Sequence, residues 1–402
     1  MKLTLKNFAN VENAEINLNG VTVLTGKADT GKEYITKTLY GIIHGLHDID
    51  DQVAEVFEKK GKYIKKIQEL MDETTDEMLL AKLCGLYRME KRNLKYINEL
   101  GQEIIHENFC KLFYDQINSL DSESENTEII FKDDCCGTTY MEFVDERCVK
   151  FDSKTDFNHD AFLLNNPNVL NLTNVDLNME ANINLSEKHM IKSLQHDDES
   201  QIKKIVINQM KETVLKEIDS IFHEVIHADY VISPALYKTT CRGIVPVTGR
   251  INISLEKEDY PEPMKCPNIA PGIQLFIILQ RLLEEGKLKS KSTLIIENLD
   301  AYLDPELQVK FAELLVLLRE KMGIYIVLTT HSHYLIDALD LFSVKYGISD
   351  QADFYFMEKK DEKVTVENVI HEPTGKPVGL IFKINLIGTT CKTDRISLAL
   401  SE

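Results

Sequence analysis

The stretch Val21–Glu33 constrains the fold of this chain more than any other. A run of β-favouring residues ends at a glycine, and a second glycine and a lysine follow at the spacing G-x-x-x-x-G-K. The members of this motif are Gly26, Lys27, Ala28, Asp29, Thr30, Gly31 and Lys32. The next residues, 33–43, carry apolar side chains at helical spacing. A strand, a glycine loop and a helix in this order predict a phosphate-binding loop, because backbone N–H groups and the helix dipole converge on one anion. The alternative is a glycine turn that happens to precede a helix.

Glu33 departs from the usual form of this motif. Ser or Thr normally follows the lysine, and its hydroxyl binds Mg²⁺. A carboxylate also ligates Mg²⁺, so Glu33 is a candidate metal ligand, although it places a negative charge beside the phosphates. The alternative is that Glu33 is simply an acidic residue in a first helical turn, where it complements the helix dipole.

Length and charge limit the classes of protein to consider. The 402 residues fit two or three average domains, or one large α/β domain with an insertion. The net charge of −19 argues against a broad nucleic-acid-binding surface, though not against a local groove. The chain has no C-x-x-C pair, no signal peptide and no apolar run long enough to cross a membrane. We therefore expect a cytoplasmic protein with reduced thiols and no membrane association.

The first third predicts a small β element and then helices. Residues 1–24 are typical of a hairpin or meander, with Asn19-Gly20 as a strong turn signal. Residues 47–121 are rich in charged helix formers and predict two to four helices. A lysine run within them is interpreted as a solvated helix face rather than a nucleic-acid contact. It consists of Lys59, Lys60, Lys62, Lys65 and Lys66.

The middle of the chain has weaker signals. Its predicted elements are strands at 127–132, 138–144 and 148–151, an irregular polar loop at 174–200, a long amphipathic helix at 202–226, and a hairpin of 244–247 with 250–255 around Thr248-Gly249.

The last third predicts a parallel sheet. A helix at 272–284 precedes a buried strand at 292–296, which ends in Glu297-Asn298. Asp304 then caps a helix, and a strand at 324–329 leads to His331. Strands that alternate with helices in this way place functional loops at the carboxyl ends of the strands. Two further segments, 353–357 and 364–369, are interpreted as edge strands of this sheet.

The chain resembles the ABC-type ATPases, and most closely the AAA-labelled ATPases of the RecF, SMC and OLD kind. Many of these lie in bacterial antiphage or toxin–antitoxin loci. The matching pieces are Met1–Gly45 and Asn268–Tyr346. The resemblance implies an α/β P-loop fold with a mixed and parallel sheet. It also implies one ATPase domain formed by 1–46 and 126–402, with a helical insertion at 47–125 that carries a partner-specific surface.

The resemblance also assigns roles to individual residues, with ATP and Mg²⁺ as cofactors. Glu297 and Asn298 stand where the family has Asp and the catalytic Glu. Glu297 can still bind the metal, whereas Asn298 can position a water but cannot accept its proton. Ala270, followed by Gly272, stands in the signature loop where a Ser usually reaches the γ-phosphate. His331 corresponds to the family's switch histidine.

Three functional hypotheses follow from these residues. The first is an ATP-binding homodimer that hydrolyses slowly or not at all and serves as a sensor or scaffold for a protein effector, a nuclease or a toxin. Loss of a general base alone slows a reaction by ~10²–10⁴-fold. The second is a pseudo-ATPase scaffold that no longer needs nucleotide. The third, an active DNA-repair-type ATPase, is disfavoured by the acidic charge and the altered groups.

Overall fold

A computed structural model defines the architecture of the chain. It describes residues 1–47, 58, 62, 65–71, 74, 77–93, 97–118, 126–133, 137–153, 159–173, 183–195, 216–227, 229–234, 237–240, 243–246, 251–256, 261–360 and 363–368.

The strands, in chain order, are β1 (Lys2–Phe8), β2 (Val11–Asn17), β3 (Val21–Gly26), β4 (Asn126–Asp133), β5 (Gly137–Val144), β6 (Arg147–Ser153), β7 (Ala161–Leu164), β8 (Asp229–Pro234), β9 (Tyr237–Thr240), β10 (Gly243–Pro246), β11 (Ile251–Glu256), β12 (Met264–Lys265), β13 (Thr293–Glu297), β14 (Tyr325–Thr330), β15 (Ala352–Lys360) and β16 (Lys363–Asn368).

The α-helices are α1 (Lys32–Leu46), α2 (Glu77–Asn93), α3 (Ile97–Phe113), α4 (Leu185–Leu194), α5 (Lys216–Ile226), α6 (Pro271–Glu284), α7 (Pro305–Met322) and α8 (His333–Lys345). Short 3₁₀ turns lie at Pro167–Leu172, Cys266–Asn268, Leu299–Tyr302 and Ser349–Gln351.

An eleven-stranded sheet organises the described part of the chain. Its strand order is β6-β5-β4-β1-β2-β16-β15-β3-β14-β13-β7. The strands from β6 to β2 pair antiparallel, whereas β15, β3, β14, β13 and β7 pair parallel. The predicted α/β fold with a mixed and parallel sheet is therefore confirmed.

Both faces of the parallel half of the sheet are buried. Successive side chains of a strand point to opposite faces, so each of these strands contributes residues to two cores. Leu294 and Ile296 join an apolar core with α4 to α8, while Ile295 joins a second core with α1 and α3. β3 repeats this division, with Val21 and Val23 on one face and Leu24 on the other. The sheet thus separates two cores and fixes α1 on one side of it.

The predicted turn at Asn19-Gly20 does not join a hairpin. The first hairpin is β1 with β2, whose pairing ends at Phe8 and Val11, and β3 lies between β14 and β15 instead. All six residues of β3 are buried, so this strand needs neighbours on both sides and cover on both faces. Arg319 of α7 donates a hydrogen bond to the Asn19 carbonyl oxygen (3.0 Å), which ties the segment before β3 to a distant helix.

The prediction of an irregular loop over 174–200 is wrong in part. Residues 185–194 form α4, and Asn184 and Glu187 make a capping box at its start. The polar composition concealed this helix, because the polar residues include its cap. Residues 174–182 and 196–200 lie outside the described residues. So does 201–215, and the predicted helix at 202–226 is therefore described only as α5.

Two further strand predictions are wrong, one in the position of the strands within the sheet and the other in their pairing. β15 and β16 lie in the middle of the sheet, and its edges are β6 and β7. Phe354 to Met357 are buried on both faces, which a central strand requires. The predicted hairpin at 244–255 is absent from the described pairings, since β10 pairs with β9 and β11 pairs with β8 and β12.

The predicted helical region after α1 contains α2 and α3. Within the lysine run, Lys62 pairs with Glu58 at 2.6 Å and both side chains are exposed, as expected for a solvated helix face. Lys59 and Lys60 lie outside the described residues. The limits of the insertion, 47 and 125, stay a prediction.

Candidate functional site

The carboxyl ends of β3, β13 and β14 meet at one edge of the sheet. Thr25 pairs with Thr330, and Glu297 pairs with Thr329, so the residues that follow each strand lie side by side. They border a pocket of about 300 Å³. Its lining residues are Asn10, Ala28, Asp29, Thr30, Gly31, Lys32, Glu33, Tyr34, Asn298 and His331.

Two glycines fix the backbone of the loop between β3 and α1. Gly26 has φ 151°, and a Cβ there would lie 2.1 Å from the Met357 carbonyl oxygen. Gly31 has φ 76°, and a Cβ there would lie 2.5 Å from Asn10 Oδ1. Gly31 is also the N-cap residue of α1, so no side chain caps the first N–H groups of this helix. These N–H groups and the helix dipole suit an anion.

Lys32 lies buried at the start of α1, with its ammonium group inside the loop. It donates to the carbonyl oxygens of Gly26 (3.1 Å) and Lys27 (2.6 Å) and to Thr30 Oγ1 (3.2 Å). Burial lowers the pKa of Lys32 to about 8, although Glu33 partly opposes this. The side chain is therefore mostly protonated at neutral pH and supplies a positive charge to the loop.

Glu297 is buried at the end of β13, and Thr36 of α1 donates a hydrogen bond to its carboxylate at 2.5 Å. Burial raises the pKa of Glu297 to about 7, and Glu33 raises it further, while Thr36 and Lys37 lower it. A nearby cation would favour the charged form of such a carboxylate. Glu297 does not itself line the pocket, and it stays a candidate metal ligand at this edge of the sheet.

Asn298 has a left-handed backbone conformation, with φ 51°. Its Nδ2 group donates to Glu33 Oε1 (3.4 Å), and its Oδ1 atom accepts from Thr329 Oγ1 (3.2 Å). Its backbone N–H group donates to the Thr329 carbonyl oxygen (3.0 Å). The amide is thus oriented by partners on both sides, and it offers no group that accepts a proton at neutral pH.

Glu33 lies at the rim of the pocket, where about half of its side chain is exposed, and it pairs with Lys37 at 3.7 Å. His331 follows β14 on the same edge. Partial burial and the charge of Lys32 lower the pKa of His331, against the effects of Asp300 and of a hydrogen bond to the Gly26 backbone. His331 is therefore neutral at pH 7.

Ala270 and Gly272 do not line this pocket within one chain. Ala270 is exposed at the N-cap of α6 and makes no capping hydrogen bond. Gly272 is buried, and a Cβ there would lie 2.7 Å from the Tyr302 carbonyl oxygen. Close packing of α6 on the turn Leu299–Tyr302 therefore accounts for the glycine.

Three residues at the site were missed in the sequence. Thr36 lies one helical turn after Lys32, where its hydroxyl reaches Glu297, and this spacing was the available signal. Asn10, in the turn between β1 and β2, donates to the Asp29 carbonyl oxygen (3.2 Å). Tyr34 packs against Phe8 and Phe113. Asn10 reaches the loop only through the sheet, so no local pattern could have indicated it.

Within the described residues, no helix combines the length and the apolar character that crossing a bilayer requires.

Comparisons with known proteins agree with this architecture. Residues 273–337 match the family described as "AAA domain, putative AbiEii toxin, Type IV TA system". No curated protein sequence matches the chain. An Smc head domain from Pyrococcus furiosus, solved with the C-terminal domain of ScpA, shares 10% identity over 96% of this chain and 98% of its own, with a TM-score of 0.50.

Two other solved structures overlap the chain to a similar extent. An SmcHead bound to the C-winged helix domain of ScpA has 12% identity and a TM-score of 0.49, covering 93% of this chain and 98% of its own. The SMC head domain of Thermotoga maritima has 11% identity and a TM-score of 0.41, covering 92% and 98%. Residues 273–337 thus match the model of this AAA family, and the chain as a whole shares the fold of the Pyrococcus furiosus Smc head domain.

Proposed function

We propose that this protein binds ATP with Mg²⁺, hydrolyses it slowly or not at all, and acts as a nucleotide-dependent dimeric sensor or scaffold for a protein effector. The observation that carries the proposal is the loop between β3 and α1. Gly26 and Gly31 have positive φ and lie where a Cβ would collide with a neighbouring atom, and Lys32 places its charge inside the loop.

Residues in and beside the pocket fit both ligands. The first-turn N–H groups of α1 and the Lys32 ammonium would hold the phosphates of ATP. Glu297 and Glu33 would hold Mg²⁺, which prefers carboxylate oxygens. The raised pKa of Glu297 supports this role, because a divalent cation offsets the cost of a buried negative charge. Bound Mg²⁺ would supply charge neutralisation at the outer phosphates.

Asn298 is the reason to propose weak hydrolysis. It follows Glu297 at the place of a catalytic carboxylate, and its amide is held between Glu33 and Thr329. An amide orients a water molecule but takes no proton from it, and a lost base reduces the rate by ~10²–10⁴-fold.

Exposed groups around the pocket support the proposed homodimer. Tyr302 and Tyr334 are large side chains that remain 42% and 48% exposed, in the turn after Asn298 and in the first turn of α8. Ala270 is exposed on α6. Aromatic residues are enriched in protein interfaces. A second copy that packs on this surface would bring its own Ala270 loop to the phosphates.

The effector is proposed to be a nuclease or a toxin that docks on the ATPase in the cytoplasm, in an antiphage or toxin–antitoxin setting. The description of the family that matches residues 273–337, which names a toxin, supports this setting. The Pyrococcus furiosus Smc head bound to a domain of ScpA is a precedent for a protein partner on this fold.

Calorimetry with ATP and Mg²⁺ on the wild type and on Lys32→Ala tests the proposal. We expect affinity of micromolar class for the wild type and a loss of ~10²-fold or more for Lys32→Ala, since hydrogen bonds to charged groups contribute about 1.5–3 kcal/mol each. Lys310→Ala is the matched control, because Lys310 bonds to Glu224 away from the loop. Equal heats from the wild type and Lys32→Ala would overturn the proposal.

One observation favours the nucleotide-independent scaffold as a second candidate. The ammonium of Lys32 already has three acceptors within the loop, and Glu297 is already bonded to Thr36. A site whose charged groups are satisfied internally can persist as a structural element. No heat of binding from the wild type would support this candidate, whereas turnover near ~1 s⁻¹ would favour the active ATPase.

A further inference from the structure

A second cluster of polar side chains lies at the other end of α1. His44 Nδ1 lies 2.8 Å from Asp160 Oδ1, and His189 Nε2 lies 3.0 Å from Asp160 Oδ2. His47 Nε2 is 4.0 Å from the same carboxylate. Three elements supply these groups, namely α1, the residue before β7, and α4. Helical rise places His44 about 18 Å from Lys32, so this cluster is separate from the nucleotide pocket.

We propose that His44, Asp160 and His189 bind a divalent transition-metal ion of the zinc class. The three ligand atoms, two imidazole nitrogens and one carboxylate oxygen, all lie within 4.8 Å of one another. Ligand atoms around a tetrahedral zinc ion are about 3.3 Å apart. Each imidazole nitrogen is already that close to the carboxylate, at 2.8 and 3.0 Å, and no pair of ligand atoms would have to approach by more than about 1.5 Å. Imidazole ligands select zinc-class ions over Mg²⁺ and Ca²⁺.

The surroundings of His189 match the second layer of a metal site. Its Nδ1 atom lies 3.3 Å from the Tyr40 hydroxyl, while Nε2 faces Asp160. Metal-bound histidines usually engage their other ring nitrogen in such a hydrogen bond, which fixes the ring and its tautomer. The imidazoles of His44 and His189 also stack, with centroids 4.0 Å apart, and Phe162 stacks on His189.

Side-chain exposure is consistent with access for an ion. About 23% of the His44 side chain is exposed, and about 14% of each of Asp160 and His189. The site would join α1 to β7 and α4, so we assign it a structural role in holding the helix whose other end forms the phosphate-binding loop.

Zinc titration of the tag-free full-length chain, in competition with a chromogenic chelator, tests the proposal. We expect one Zn²⁺ site per chain, weakened by more than ~10²-fold in His44→Gln and His189→Gln. Tyr40→Phe keeps the three ligands and should weaken binding by ~10-fold or more, which covers the case in which a ligand variant fails to fold. His106→Ala is the control, because His106 lies beside Cys110 in a competing pair of metal-binding groups.

Three results would overturn the proposal. One is a wild type that binds no stoichiometric Zn²⁺, which would leave a hydrogen-bonded His–Asp–His triad. Another is a thiolate charge-transfer band in the Co²⁺-loaded chain, since nitrogen and oxygen ligands alone give only d–d bands. The last is loss of Zn²⁺ binding in Glu297→Gln, which would assign the ion to the nucleotide pocket, because Glu297 is a proposed cation ligand there.

Discussion

The loop from Gly26 to Lys32 and the strand end at Glu297-Asn298 lie at the same edge of the sheet but are held by different kinds of interaction. The loop depends on backbone geometry, since two glycines have positive φ and close backbone or side-chain neighbours. The strand end depends on a chain of side-chain hydrogen bonds, in which Thr36 bonds to Glu297 and Thr329 and Glu33 bond to Asn298.

This difference explains how the two sides of the pocket can diverge in chemistry. A backbone cradle binds a phosphate with almost any intervening side chains, so four of its seven positions are free to vary in type. A side-chain network keeps its shape after a carboxylate is exchanged for an amide, as long as each group finds a partner, but its proton chemistry changes at once. Binding and hydrolysis are therefore separable in this pocket.

The largest effect is expected from a side chain in the cradle. In Gly26→Ala, φ of 151° and a contact of 2.1 Å with the Met357 carbonyl oxygen should reduce the free energy of unfolding by about 3 kcal/mol and remove ATP binding. Gly347→Ala is the matched control, with φ of 70° but no atom within 4 Å of the new Cβ, and should cost roughly 1 kcal/mol. Chemical denaturation and calorimetry measure both. Normal ATP affinity in Gly26→Ala would show that the cradle tolerates a side chain.

Substitutions at the strand end Glu297-Asn298 should instead change the rate of ATP hydrolysis. Glu33→Ser with Asn298→Glu returns a hydroxyl ligand and a general base, and turnover of ATP should rise by ~10²-fold or more over the wild type. Asn298→Glu alone should give less, because the Glu33 carboxylate already accepts a hydrogen bond from residue 298 and would then face a second charge. Steady-state phosphate release is the measurement. A double variant that binds ATP tightly and stays inert would mean that the missing groups act elsewhere.

The sequence predicted the cradle and the strand end because both are local. The glycines, Lys32, Glu297 and His331 follow strands whose apolar runs are evident, and parallel strands place their carboxyl ends together. The predicted pairing of β3 and the predicted edge position of β15 were wrong because these two strands pair with each other across more than 300 residues of the chain. Asn10 was missed for the same reason, since a fold-level contact leaves no local pattern.

The strand end should also make the free energy of unfolding depend on pH, through the protonation of Glu297. Glu297 has an ordinary pKa of 4.5 that the fold raises to about 7, so the folded state keeps the proton between these values. The stability that the proton contributes is fully present below pH 4.5 and is lost as pH rises through about 7. The free energy of unfolding of Glu297→Gln should therefore increase relative to the wild type over this range.

The affinity for ATP with Mg²⁺ should instead increase as pH rises, because only the charged carboxylate of Glu297 binds the ion. Affinity should be about tenfold weaker near pH 6 than near pH 8. Thr36→Val removes the hydrogen bond that lowers the pKa of Glu297, and should move the midpoint to higher pH. Binding measured without Mg²⁺ serves as the control for a change in the protonation of Lys32 over this pH range. A flat profile with Mg²⁺ would exclude Glu297 as a ligand.

The smallest effect is expected at Ala270, and it separates a property of one chain from a property of the dimer. Ala270 is the N-cap residue of α6 without a capping side chain, so Ala270→Ser should stabilise the monomer fold by about 1 kcal/mol. Ala270→Asp should do the same, since Asp is an equally good cap. In the Glu33→Ser and Asn298→Glu background, Ser should raise turnover by ~5-fold through a hydrogen bond to phosphate, whereas Asp should lower it by charge repulsion. Turnover of both variants is measured above and below the concentration at which light scattering detects a dimer. An opposite response of Ser and Asp requires residue 270 to approach the phosphates of a second copy. If Ser and Asp change stability alike and leave turnover alike, the residue is only a helix cap, and the head-to-head arrangement is wrong.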